Sequence, residues 1–146
     1  MAQSSRLARC FRDLIVYQKA REVAQRVFEL SKTFPKHESY SLTDQGRRSS
    51  RSVGAQIAEA WGKRRYERHF VSKLTDADAE QLETQHWIET AFDCGYISGE
   101  QRDSLCQDLR TIGRMLHAMI QKADQFCNSE ANKVREDFEE YFANSH

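Results

Sequence analysis

Between Leu42 and Phe70 the chain reads LTDQGRRSSRSVGAQIAEAWGKRRYERHF, and seven cations, Arg47, Arg48, Arg51, Lys63, Arg64, Arg65 and Arg68, fall within its central twenty-two residues. Arginine presents a planar fork that holds phosphate oxygens in pairs, so this density of guanidinium groups suits a phosphate backbone, of RNA or DNA. Tyr66 and Trp61 lie among the cations, and aromatic rings in such a setting stack on unpaired bases where they are uncovered. Two other readings use the same residues. The arginines can form a solvated polar face, or they can make salt bridges with an acidic helix of a neighbouring subunit or with a partner protein, as an interaction scaffold would.

Catalytic chemistry finds little footing. A helical bundle that holds two metals needs two Glu-x-x-His units, and Glu83-x-x-His86 is the only one, His37, His69 and His117 lacking a glutamate three residues before them. The sequence has no P-loop, no Gly-x-Gly-x-x-Gly and no Gly-x-Ser-x-Gly. Cys10, Cys94, Cys106 and Cys127 are too widely spaced for a zinc knuckle or a Cys-x-x-Cys redox pair, and reduced thiols are expected. The expectation is a protein without enzymatic activity, cofactor or metal.

The elements that must position the cations are helices. On a 3.6-residue period Leu42, Gly46, Ser49, Ser50, Val53, Ile57, Ala60 and Trp61 share one side, while Arg47, Arg48 and Arg51 point roughly opposite. The small residues Gly46, Ser49 and Ser50 let another helix approach closely. Ahead of this helix, Val16, Ala20, Val23, Val27, Leu30 and Phe34 mark a first helix over about 13–33, with Tyr17, Ala24 and Phe28 widening its stripe, and Pro35 ends it. Ser41 is placed to cap the second helix, with Asp44 in its first turn.

After Gly62 and its basic neighbours a tight turn is expected, then a third helix over 66–93 that buries Phe70, Leu74, Ala77, Gln81, Ile88 and Ala91, with Leu82 and Phe92 at its flank and an acidic outer face. Gly95 suits a left-handed cap, and Ser98 with Gln101 forms a capping box for the fourth helix. That helix carries Leu105, Leu109, Ile112, Leu116, Met119, Ala123 and Phe126 at unbroken four-three spacing. The fold class is all-α: an up-down-up-down antiparallel four-helix bundle over 13–127, after a lead-in over 1–12. Residues 128–146 hold two basic and five acidic residues and form either an acidic tail or a docking helix through Val134, Phe138, Tyr141 and Phe142.

The net charge is zero but segregated: residues 1–68 hold fifteen Lys/Arg against seven Asp/Glu, and residues 69–146 hold seven against fifteen. This permits a basic surface opposed by an acidic one. With 39% hydrophobic residues and a single proline, the 146-residue chain can build one ordinary core. No signal peptide or membrane span is apparent, so a cytoplasmic protein with no membrane partner is expected.

FRDLIVYQKA, FPKHESYSLTDQGRRSSRSVGAQIAEAWGK, LETQ and DCGYI together resemble the bacterial ribosomal S23-like family, also described as 23S rRNA intervening-sequence proteins, over about 11–126. The family includes the accessory protein of diversity-generating retroelements, which binds nucleic acid and a reverse transcriptase. Where the family writes Asn-Ile-Ala-Glu-Gly, this chain has Gln56-Ile57-Ala58-Glu59-Ala60, and residues around Ala77 to Ala79 replace a Gly-Ser pair. The resemblance implies rings of five bundles, hence a homo-oligomer, and large aromatics at positions such as Trp87, which a lone bundle need not cover, point the same way. It also favours RNA as the ligand of the basic helix.

Overall fold

The computed structural model describes residues 8–127 and Asn144. Over these residues the chain is helical: α1 (Ile15–Ser31), α2 (Leu42–Gly62), α3 (Glu67–Asp93), α4 (Gly99–Gln121) and α5 (Ala123–Cys127), with short 3-10 turns at Phe11–Asp13 and Lys36–Glu38. Among the described residues there is no strand. The long helices follow one another through short connections, so sequence neighbours run antiparallel. α2 packs against both α1 and α3, and α4 closes the bundle against α3 and α1.

The apolar stripes meet in one core. Val16, Ala20, Val23 and Val27 of α1 join Leu42, Val53, Ile57 and Ala60 of α2 there, with Phe70, Leu74 and Ala77 from α3 and Leu105, Leu109, Ile112 and Leu116 from α4. Phe70 is completely covered and stacks on Phe126 with ring centroids 5.6 Å apart. Burying one such side chain is worth about 1.5–3 kcal/mol. The core also contains polar groups. Thr84 Oγ1 donates to the Glu80 carbonyl at 2.8 Å and lies 2.9 Å from Ser49 Oγ, which joins the small-residue face of α2 to α3.

The helix ends depart from expectation in instructive ways. α1 begins after Asp13, because the Asp13 carboxylate accepts from the backbone N–H of Arg9 (2.8 Å) and Cys10 (3.3 Å) and so belongs to the preceding turn. These bonds hold its carboxyl below the ordinary value. Ser41 stands at the N-cap of α2 but does not cap it. Its hydroxyl donates instead to Glu38 Oε1 at 2.7 Å, while Tyr96 donates to Glu38 Oε2 at 2.9 Å, so Glu38 ties the first connection to the α3–α4 turn. Ser41 first, then Tyr96, lowers the Glu38 pKa.

At the other end of α3, Gly95 takes φ +77°, the left-handed cap expected of it, and Ser98 with Gln101 forms the expected capping box. α4 stops at Gln121. The apolar spacing carries on through α5, where Ala123, Phe126 and Cys127 are buried. Trp87, an aromatic that a single bundle need not cover, is half-buried against the core. Leu82 is 56% exposed. The tail readings on Val134, Phe138, Tyr141 and Phe142 fall outside the described residues.

Candidate nucleic-acid interface

The bundle does not present Arg47, Arg48 and Arg51 as one stripe. α1 lies along one flank of α2 and α3 along the other, and the three side chains divide between them. Arg47 and Arg51 turn to α1, where their guanidinium carbons stand 4.8 and 5.2 Å from the centre of the Phe28 ring. Lys32 Nζ reaches the same ring at 4.8 Å. Three cations therefore gather on one half-buried phenyl ring, whose negative face offsets part of their mutual repulsion.

Arg47 is the best fixed of the three. Its Nε donates to Ser31 Oγ at 2.8 Å, and Ser31 in turn donates to the Phe28 carbonyl at 2.8 Å. With Nε engaged on Ser31 and the guanidinium carbon held by Phe28, the terminal nitrogens of the fork are left without a side-chain hydrogen bond to Ser31. A preset fork loses less entropy on meeting a phosphate than a free side chain does. Lys32 also pairs with Glu29 at 3.1 Å, on an exposed edge where such a pair is weak.

Arg48 turns the other way. Its charge acts on Glu80 of α3, a partly buried carboxylate whose pKa is raised by burial first and by Glu83 second, against the lowering influence of the Ser52 hydroxyl and Arg48. Arg48 thus offsets a carboxylate that burial disfavours.

The cations at the exit of α2 form a second cluster. Lys63 closes the helix, and sixteen residues of α-helix place it about 24 Å along the axis from Arg47. The Arg64 guanidinium lies 3.7 Å from the Trp61 ring centre, with Nε donating to the Trp61 carbonyl at 2.8 Å. That face of Trp61 is occupied. Arg65 stands 5.9 Å from the ring of Tyr66, which is 58% exposed, and Arg68 is exposed on the first turn of α3. Tyr66, not Trp61, is the aromatic open to a base.

Phe28, Ser31 and Lys32 were not among the sequence-derived site residues. Their signal lies in pairing: 28, 31 and 32 on one helix face 47 and 51 on its antiparallel neighbour, which becomes readable once the α1–α2 register is known. Elsewhere, His86 is exposed beside Trp87, and no group of three His, Cys, Asp or Glu among the described residues is arranged to hold a metal ion. All four cysteines are free thiols, and burial pushes the Cys106 thiol up. No described helix is long and apolar enough to cross a membrane.

Comparison with known proteins adds to this geometry. Residues 12–118 match the family model described as 23S rRNA-intervening sequence protein. A crystal structure of a protein of unknown function from the S23 ribosomal protein family of Bacteroides thetaiotaomicron is 32% identical to the chain. It superposes with a TM-score of 0.67 over 73% of this chain and 98% of that one. No curated protein matches the chain.

Proposed function

The chain belongs to the 23S rRNA-intervening sequence protein family, and from that premise we propose that it is a non-enzymatic, homo-oligomeric protein that binds RNA through the basic α1–α2 surface. The observation that carries the reading is the convergence of Arg47, Arg51 and Lys32 on Phe28, with Arg47 anchored by Ser31. Such an arrangement suits phosphate and carries no base code, so binding is governed by the backbone and shows little sequence preference. The exit cluster of Lys63, Arg64, Arg65 and Arg68 supplies a second contact on the same strand.

The oligomer is a pentameric ring, as the family resemblance implies, and the 47% exposed Ile15 and 56% exposed Leu82 are apolar groups that a neighbouring subunit would cover. Five copies of a modest patch raise affinity through effective concentration. The test has two parts. Light scattering should return five chain masses, and a single chain mass at high protein concentration removes the ring. Filter binding of a single-stranded RNA should weaken linearly in log salt, with a slope of about −0.7 per phosphate contacted.

A second reading is an interaction scaffold, in which Arg47, Arg48 and Arg51 pair with acidic groups of a neighbouring subunit or of a partner protein; the exposed side chain of Arg48 is open to such a contact. On that reading replacing Arg47 and Arg51 by glutamine breaks the oligomer or a protein contact and leaves RNA binding unchanged.

A further inference from the structure

Beside the cation cluster an open cleft of about 640 Å³ runs between α1 and α2. It exists because the residues at this crossing are small: Ala20 and Ala24 on α1 face Gly54, Ala55 and Ala58 on α2. Tyr17 walls the cleft opposite Gly54, where an added Cβ would lie 3.6 Å from Tyr17 Cε2, an ordinary van der Waals contact. Tyr17 and Phe11, packed edge to face at 4.9 Å, form the aromatic end.

A cation lines the cleft at one end and another stands beside the aromatic residue at the other. Arg51 lines it and also stands over Phe28, making it common to the cleft and the phosphate cluster. Arg12 lies 4.5 Å from the Phe11 ring at the opposite end. Arg21, Glu22 and Gln25 border the space between and offer both donors and an acceptor.

We propose that this cleft receives one base of an unpaired single strand, set between the small residues and the Tyr17 wall, with phosphates of the same strand held by Arg51 and Arg47 toward one end and by Arg12 toward the other. The proposal rests on the phosphate-binding reading above and gives it a ligand class. A base in a duplex is stacked and paired and cannot enter, so the cleft selects single strands. The phosphates position the strand, and the inserted base adds affinity that an abasic backbone lacks. The Phe28 ring is not the stacking platform, because its surroundings are taken by three cations.

The experiment compares two probes of equal charge at low salt: a twelve-nucleotide oligouridylate and an abasic phosphodiester of the same length. The wild-type protein should bind the oligouridylate about tenfold more tightly, the scale of one stacked base. Ala58→Leu fills the cleft from a half-buried position, and exposed Ala55→Leu does so with less risk to the fold, which circular dichroism checks. Both substitutions are made in a Tyr66→Ala background, which removes the exposed ring beside the exit cations, and either folded variant should then bind oligouridylate as weakly as the abasic strand and leave abasic binding unchanged. Equal wild-type affinity for the two probes, or a preference that survives both substitutions, overturns the cleft while leaving phosphate binding in place. If neither probe binds, the proposal falls together with the reading it rests on.

Discussion

Arg47 Nε and Ser31 Oγ are 2.8 Å apart across the α1–α2 crossing, so a hydroxyl near the end of one helix sets the direction of a cation on the next. Ser31 is itself buried, and its proton goes to the Phe28 carbonyl, which leaves its oxygen lone pairs for the guanidinium. The relation separates two contributions to phosphate binding, the number of charges and their placement.

Ser31→Ala removes placement without changing charge. RNA affinity should fall a few-fold, with the slope against log salt unaltered, because the number of phosphates neutralised is the same. Arg47→Gln should lower affinity further and also flatten the slope by about 0.7 for one lost contact. A slope change in the serine variant would mean that Arg47 no longer reaches the strand at all.

Gly113 in α4 sits where an added Cβ would lie 2.8 Å from Gln81 Nε2 and 3.3 Å from Asp78 Oδ1. Helix propensity favours Gly113→Ala by about 1 kcal/mol. Gln81 cannot yield freely, however, since it is buried, donates to Asp78 at 2.9 Å and accepts from Gln85 at 2.7 Å. Overpacking and the loss of these bonds should prevail, and the variant should be less stable by about 1 kcal/mol in urea. In a Gln81→Ala background the same substitution should stabilise. A stabilising effect in both backgrounds would show that Gln81 moves aside at no cost.

Much of the bundle was legible because its signals are local. The stripe Leu105, Leu109, Ile112, Leu116 is buried as its spacing requires, and Gly95 and Ser98 end and begin helices as their chemistry predicts. What failed to show was relational. Ser41 has the right type and place for a cap, but Glu38 takes its proton, and Glu38 is fixed by Tyr96 from fifty-eight residues away. The arginines looked like one face because a helical wheel shows angle and not neighbours. Which flank meets Phe28 and which meets Glu80 depends on the packing of α1 and α3 around α2.

Thr84 and Ser49 form a buried hydroxyl pair, so the cost of removing either depends on whether the other is present. Thr84→Val leaves Ser49 with the Gly46 carbonyl, 3.4 Å away, and should cost about 1–2 kcal/mol. Adding Ser49→Ala takes away the stranded group, and the double variant should be less destabilised than the sum of the two single ones. Denaturant midpoints of the four proteins decide it. Strict additivity would show that the two hydroxyls do not interact.

Glu80 allows a test in which pH reports on a partly buried carboxylate of α3. Burial raises its pKa above the ordinary 4.5, which means that the folded state holds the proton more tightly than the unfolded chain does. The contribution of the protonated form is therefore complete below 4.5 and is lost as pH rises through the higher folded value, so at neutral pH the charged carboxylate is a net burden on the fold. Glu80→Gln keeps an oxygen for the Ser52 hydroxyl and removes that charge. Its melting temperature should exceed the parent's at pH 7, and the gap should close as the pH falls below the ordinary carboxylate range. The substitution also removes a negative charge that repels a polyanion, so RNA affinity at low salt should rise slightly in the same variant. A Glu80→Gln protein that melts lower than the parent at pH 7 would show instead that attraction to Arg48 outweighs the burial of the charge.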